Sequence, residues 1–195
     1  LAAIQINNNY QAAIIKLYNL AKEKSIGIEE FLTTMQDIVA KYPNSHFQRH
    51  ILADFLYFKG NIDKAKQHYL ILVKVPSLLR VEYLYNNLAN LLLDENSPLA
   101  ITYIDKALEI DKNNPSFIDT KGWILTKQSQ FVKGLDLLRE AFAMDSSNPS
   151  VQYHIAYNLV KTGQLEAAKQ ALKKSLATEL PFAEKDLAQA LMNSI

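Results

Sequence analysis

The sequence has no cysteine and little glycine or proline. Because cysteine is absent, a disulfide framework, a thiolate zinc site, an iron–sulfur cluster and a cysteine nucleophile are all excluded. Five glycines and six prolines among 195 residues are about half the usual share. β-Sandwiches and small barrels need many tight turns, so this composition disfavours both.

A charge excess of either sign is also missing. Lysine and arginine number 21 and aspartate and glutamate 20, which leaves a net charge of +1. Such a balance gives no general attraction to nucleic acid or to an anionic membrane. No apolar run approaches the roughly 18 residues of a membrane span, and we see no signal peptide. Because the chain begins with Leu1 rather than methionine, we expect it to be a fragment of a longer protein.

What the sequence does contain is an internal repeat. The segments Asp111–Pro115 and Asp145–Pro149 are near copies whose prolines lie 34 residues apart. Small residues recur at intervals of 33 to 36 residues, in pairs that suit the close crossing of two helices: Ala53 with Ala65, Ala89 with Ala100, Gly122 with Gly134, and Ala156 with Ala168. A period of 34 is that of a two-helix tetratricopeptide unit. An ordinary helical bundle would not repeat small residues in this way.

Each unit is predicted to be a pair of helices joined by a short turn. In the last unit, Val151, Ile155 and Leu159 form an apolar stripe at helical spacing, and a second stripe starts at Leu165. Between them Gly163 is suited to a left-handed helix end. The sequence therefore predicts an all-α, right-handed superhelical solenoid of antiparallel helix pairs, with about eleven helices.

The repeat borders follow from this register, and we predict one solenoid domain over residues 1–195. Residues 1–45 are a degenerate unit, helical over 10–24 and 28–42, in which Phe31 takes the place of the small residue. Complete repeats are predicted at 46–79, 81–114, 115–148 and 149–180. A capping helix over 181–193 is expected to cover the last pair through Phe182, Leu187 and Leu191.

The motifs resemble those of known repeat proteins. The segment Ala107–Asp111, with small and aromatic residues at fixed offsets around it, is similar to the signature of tetratricopeptide repeat proteins. More narrowly, the chain resembles the C-terminal repeats of exosortase (PEP-CTERM) system repeat proteins, in Ile118–Leu125, Gly134–Ala141, Tyr153-His154 and Leu180–Glu184. That resemblance implies a lipoprotein scaffold of the bacterial envelope, linked to exopolysaccharide or surface-protein export. It also implies a periplasmic or envelope location, with the cytoplasm as the other possibility.

In a superhelix of helix pairs, the first helix of each pair lines the concave groove. The inner positions are rich in aromatic rings and amides, which suit a surface that binds a peptide or protein. Trp123 follows Gly122 and is also suited to filling the gap there, so packing against neighbouring helices is the alternative. The predicted partner-binding residues are Phe47, His50, Asp54, Tyr57, Tyr83, Asn86, Asn90, Asp119, Trp123, Lys127, Tyr153, Tyr157 and Lys161.

No set of residues predicts catalysis, a cofactor, a metal or a small-molecule substrate. His46, His50 and Asp54 lie along one helix face, but the first and third are about 12 Å apart by helical rise, too far for one ion. His68 and His154 stand in no motif. We expect no histidine near Ser116 and Asp119 in the repeat register, and there is no glycine-rich phosphate loop.

Two other partner classes are disfavoured. The C-terminal lysines, such as Lys169 and Lys173, alternate with acidic residues and lack interleaved aromatic rings, so nucleic-acid binding is kept only as the alternative function. A chaperone carboxylate clamp needs cations that are missing here, and only Asn87 and Asn90 match its pattern. The sequence therefore predicts a non-enzymatic scaffold that binds a protein or peptide.

Overall fold

A computed structural model describes residues 11–24, 27–75, 80–93, 98–179 and 182–195. This part of the chain contains eleven α-helices and no strand, which confirms the all-α prediction. None of these helices is long and apolar enough to span a bilayer. The helices are α1 (Gln11–Lys24), α2 (Ile28–Lys41), α3 (His46–Phe58), α4 (Ile62–Leu72), α5 (Val81–Leu93), α6 (Leu99–Ile110), α7 (Pro115–Lys127), α8 (Phe131–Met144), α9 (Pro149–Lys161), α10 (Leu165–Leu176) and α11 (Lys185–Asn193).

The chain separates into two compact units, Leu1–Leu84 and Tyr85–Ile195. The first contains α1 to α4 and the first turn of α5, and the second contains the remainder. The single solenoid domain over residues 1–195 and the repeat borders within it stay predictions.

In the first unit, aromatic rings fill the space that the degenerate repeat leaves between its helices. Phe31 is buried, and its ring centroid lies 4.7 Å from that of Phe55 and 6.4 Å from that of Tyr18. The rings of Tyr18 and Phe55 pack around this phenylalanine, which stands at the small-residue position. The irregular repeat therefore has an aromatic core.

In the second unit, α7 and α8 pack backbone against backbone through Gly122 and Gly134. A Cβ atom added at Gly134 would lie 2.5 Å from Thr126 Oγ1 and 2.9 Å from the Gly122 carbonyl oxygen, so there is no room for a methyl group. At the equivalent positions of the next pair, Ala156 and Ala168 are fully buried. The prediction that Gly134 and Ala168 lie buried at helix crossings is confirmed.

The turns are built from the residues that the repeat conserves along this chain. Asn114 and Asn148 accept hydrogen bonds from the backbone amides of Ser116 and Ser150, and a proline follows each asparagine at the first helical position. Gly163 has the predicted left-handed conformation, with φ of 77°. The asparagine caps set where α7 and α9 begin, and Gly163 follows the end of α9.

The C-terminal helix differs from its prediction. It begins at Lys185 rather than at 181, a position that lies outside the described residues. Leu187 is 58% exposed and does not cover the last helix pair, while Ala188 is buried and Phe182 and Leu191 pack on the core as expected. The prediction for Leu187 was wrong because Phe182 precedes the helix, so helical spacing counted from it does not define the buried face.

Candidate binding surface

Two rings on the first helices of the last two pairs form the centre of the candidate site. Trp123 on α7 and Tyr157 on α9 meet edge to face, with centroids 5.0 Å apart and planes at 79°. Both are half-buried, and both pack against the core cluster around Tyr153 and Ala156. Their exposed parts therefore belong to rings that the core holds in place.

Two lysines lie over these rings. Lys127 Nζ is 5.4 Å from the centroids of both Trp123 and Tyr157, and Lys161 Nζ is 5.3 Å from that of Tyr157. They are the last residues of α7 and α9, so the helix dipoles also favour their charge. We call Trp123, Lys127, Tyr157 and Lys161 the aromatic–lysine cluster.

A buried histidine supports the cluster from beneath. The His154 imidazole stacks on Trp123 with centroids 4.2 Å apart and planes at 15°. Its Nδ1 lies 2.9 Å from Asp119 Oδ1, and the two side chains are only 7% and 11% exposed. Because a carboxylate accepts, Nδ1–H donates this bond. The expectation that no histidine lies near Asp119 was wrong: the two residues are 35 positions apart, and α7 and α9 pack side by side, which brings them together.

A second carboxylate completes the network. Ser150 Oγ donates to Glu184 Oε2 over 2.8 Å, and Glu184 Oε1 lies 3.9 Å from His154 Nε2. Burial, and next the nearby Tyr157 and Glu184, raise the pKa of the Tyr153 hydroxyl. The segment before α11 is thereby connected to α9 through polar contacts as well as apolar ones.

Two of the predicted surface residues are not on the surface. Asp119 and Tyr153 are buried, so the structure contradicts their exposure in a groove. Asp119 is used in the bond to His154, and Tyr153 packs with Leu172 and Ala188. Both positions support the cluster and do not present contact area to a partner.

Helix α5 carries the other predicted amides. Asn86 and Asn90 are half-buried, and Asn86 Oδ1 is a buried oxygen without a hydrogen bond among the described residues. Tyr83 belongs to the first unit, where the Arg80 guanidinium lies 4.3 Å from its ring centroid. Tyr83, Asn86 and Asn90 stay predicted binding residues.

In the first unit, two of the predicted binding residues on α3, His50 and Asp54, form a polar chain with Tyr69 of α4. His50 Nε2 lies 3.5 Å from Asp54 Oδ2, and Asp54 Oδ1 accepts a 2.6 Å hydrogen bond from the Tyr69 hydroxyl. Phe47 is half-buried and Tyr57 is 38% exposed. Within the described ranges, no three acidic or histidine side chains are grouped as ligands for one metal ion.

Sequence reasoning missed one structural residue beside the site. Asn158 is fully buried on α9 and donates to Thr126 Oγ1 over 2.8 Å and to the Phe131 carbonyl oxygen over 3.0 Å. It thereby fixes α9 to the end of α7 and the start of α8. The available signal was an amide directly before Leu159 in an apolar stripe.

A separate cavity of about 230 Å³ lies between α8, α9 and α10. Its floor includes Phe142, Ile155 and Leu159, and its polar lining includes Arg139 and Lys174. This second basic surface of the same unit is distinct from the aromatic–lysine cluster, because the two share no residue.

Comparison with known proteins agrees with the repeat pattern. Residues 125–193 match the tetratricopeptide repeat family model. A segment of 71 residues is 34% identical to the transcriptional regulator HilA of Salmonella typhimurium and of Salmonella typhi, and this covers 36% of the chain. The match spans only 13% of the length of these curated relatives.

Solved structures extend the likeness to the fold of nearly the whole chain. PilW, described as a widely conserved type IV pilus biogenesis factor, superposes with a TM-score of 0.75 and 19% identity over 95% of this chain and 86% of its own. YrrB, described as a tetratricopeptide repeat protein with an unusual peptide-binding site, has a TM-score of 0.65 and 15% identity over 100% and 97%. The predicted fold class, an all-α tetratricopeptide repeat solenoid, is confirmed. The narrower resemblance to exosortase-system proteins stays a prediction.

Proposed function

We propose that this tetratricopeptide repeat chain is a protein-interaction scaffold, and that the aromatic–lysine cluster is its binding surface for a partner's peptide segment. The observation that carries the proposal is the pair of half-buried rings, Trp123 and Tyr157, in edge-to-face contact on adjacent first helices. Large aromatic side chains supply most of the energy of typical interfaces, about 2 kcal/mol or more for a central one.

Rigidity is the second argument. Trp123 stacks on a histidine that Asp119 holds by a hydrogen bond, and Tyr157 packs on the core around Tyr153. Rings that are already fixed lose little conformational entropy when a partner binds, so more of the contact energy contributes to affinity. The surface is preorganised in this sense.

The sequence-predicted site is larger than this cluster and includes Tyr57 and Asn90 on other first helices. The cluster is the part whose contacts favour a function in binding. The peptide-binding site named in the description of YrrB agrees with this use of the fold.

We place the interaction in the bacterial envelope, in assembly or export. The resemblance of residues 118–125 and 134–141 to exosortase-system repeat proteins supports this location, as does the pilus-biogenesis role given for PilW. A test is to fractionate bacteria that express the native protein. Recovery in the envelope fraction is expected, and recovery in the cytosol alone would contradict this part of the proposal.

The binding surface is tested by selecting peptides from a random display library on the immobilised wild-type protein. Selected peptides are expected to bind Tyr157→Ala about tenfold or more weakly, because the variant removes an anchor ring. Tyr42→Ala, which removes a 40% exposed tyrosine of the first unit outside the predicted binding residues, is the matched control and should retain full affinity. Equal binding to wild type and Tyr157→Ala would refute the assignment, provided that circular dichroism and the melting temperature of the variant are unchanged.

A further inference from the structure

The charges above the rings indicate what kind of segment fits there. Lys127 and Lys161 are exposed, and neither forms an ion pair with any described residue. Other lysines of the same unit do: Lys121 Nζ lies 2.8 Å from Asp105 Oδ1, and Lys169 Nζ lies 3.8 Å from Glu166 Oε1. The two lysines at the rings therefore leave their charge open to a partner.

Among the described residues, the two carboxylates of the supporting network are already used. Asp119 accepts from His154, and Glu184 accepts from Ser150. Asp119 is buried and bonded to the histidine that stacks on Trp123, so it does not compete at the exposed side. A ligand that approaches Trp123 and Tyr157 from solvent meets two ammonium groups.

The two ammonium groups lie close to one ring, so two acidic side chains of a single segment can reach them. Both lie within 5.4 Å of the same ring centroid, that of Tyr157. In an extended segment, residues i and i+2 point to the same side about 7 Å apart. Two carboxylates at that spacing would each reach one lysine, while an apolar neighbour packs on the rings, and charge-assisted hydrogen bonds of this kind are stronger than neutral ones.

We infer that the partner segment is acidic: carboxylates separated by one residue bind Lys127 and Lys161, and an adjacent apolar or aromatic side chain packs on Trp123 and Tyr157. This inference rests on the proposed function and names the chemistry of its ligand. It differs from a chaperone clamp, because the two cations are the last residues of successive first helices and lie over aromatic rings.

The test uses peptides selected from the random library and resynthesised with each Asp or Glu replaced by Asn or Gln. Trp123 is the one tryptophan of the chain, so its fluorescence reports binding at the cluster itself. Selected peptides are expected to be acidic, and their amide versions and the variant K127Q/K161Q are each expected to lower affinity about tenfold. The affinity of the acidic peptides should also fall as salt is added.

The matched control is R139Q/K174Q, which removes two cations of the same unit at the separate cavity. This control removes the same amount of charge as K127Q/K161Q, but neither Arg139 nor Lys174 lies over Trp123 or Tyr157. It should therefore change the affinity less than about twofold. A loss with R139Q/K174Q and none with K127Q/K161Q would overturn the inference and move the acid-binding site to the cavity.

The remaining outcomes separate the inference from the function on which it rests. Neutral or basic peptides that still lose affinity on Tyr157→Ala would overturn the inference and leave the interaction surface standing. A library that yields no binder, or only binders indifferent to Tyr157→Ala, would overturn the proposed function itself. Binding of single-stranded oligonucleotide that is tighter than that of any acidic peptide and is lost in K127Q/K161Q would overturn the inference in favour of nucleic acid.

Discussion

The degenerate repeat of the first unit and the last two repeats of the second unit use aromatic residues differently. In the first, Phe31 and Phe55 are buried against each other, and these rings form an aromatic core. In the second, glycine and alanine at the crossings let helix pairs close directly, and Trp123 and Tyr157 remain half-exposed on α7 and α9. Where small residues form the crossing, the rings of the first helices are not needed to fill it. They are then available for binding.

The units also differ in how each treats a histidine. His68 faces a cation, because Arg49 Nη1 lies 3.3 Å from its Nδ1. His154 faces carboxylates, with Asp119 at 2.9 Å and Glu184 at 3.9 Å. Burial, and next the guanidinium, disfavour a protonated ring at His68, whereas the His154 ring has a hydrogen-bond acceptor at Asp119.

The largest expected effect tests the aromatic core of the first unit. Phe55→Ala should lower the free energy of unfolding by about 3–5 kcal/mol, because a fully buried ring is replaced by a cavity. Phe58→Ala in the same helix, where the ring is 47% exposed, should cost about 1 kcal/mol or less. Urea denaturation measures both, and similar losses would show that the rings of this unit do not form its core.

A smaller effect is expected at the buried network of the second unit. Asp119→Ala should cost about 1–3 kcal/mol, since it leaves a buried imidazole donor without its acceptor. The double variant with His154→Ala should lose about 1 kcal/mol less than the sum of the single variants, because the pair interacts directly. Asp105→Ala removes a half-exposed partner of Lys121 and should cost less than about 1 kcal/mol. Strict additivity of the two single variants would mean that the contact contributes nothing to stability.

The fold was predictable because its signals are local or periodic. The interval of 34 relates successive helix pairs, while the Asn-Pro helix starts and Gly163 act within one pair. The helices α7 and α9 and the turn at Gly163 formed where these residues predicted them. The helix boundaries of the degenerate region at 28–42 were right to within one residue. Only local chemistry was needed for these predictions.

The support of the site was not predictable by the same route. Asp119 and His154 are far apart in sequence and no catalytic or ligand-binding motif links them, so only the contact between α7 and α9 pairs them. Asn158 and Glu184 act in the same way, each through a partner at least 27 residues away. Asp119 and His154 are 35 residues apart, which is one more than the repeat interval. A comparison of side chains about one repeat apart, with a tolerance of one residue, would have indicated this pair.

The contrast between the two histidines predicts a pH dependence in the first unit. Burial, and next the Arg49 guanidinium, lower the pKa of His68 below its usual value. The folded chain therefore binds this proton less readily than the unfolded chain, so the stabilisation is complete above the unfolded pKa of about 6.5 and is lost as the pH falls through the lowered value. We expect His68→Gln to have a flatter decline in unfolding free energy between neutral and mildly acidic pH than wild type. An identical decline in both proteins would show that this histidine does not sense the pH.

The smallest expected effect compares the turns that join the helices of a pair in each unit. Gly60 in the first unit and Gly163 in the second have φ of 74° and 77°, while Ser129 has φ of 62° at the equivalent turn of the pair α7 and α8. A left-handed conformation costs a residue with a Cβ atom about 1 kcal/mol, and glycine avoids that cost but gives the unfolded chain more freedom.

Exchanging the residues at two of these turns should therefore change stability in opposite directions. Gly163→Ser is expected to destabilise by about 1 kcal/mol, and Ser129→Gly to stabilise by about 0.5 kcal/mol once the entropy of the unfolded chain is included. The comparison is free of steric complications at Gly163, because no atom lies within 4 Å of a Cβ added there, so backbone strain alone acts. Melting temperatures of the two variants give the signs directly. If Ser129→Gly destabilises the protein, the serine side chain contributes more to this turn than its backbone strain costs.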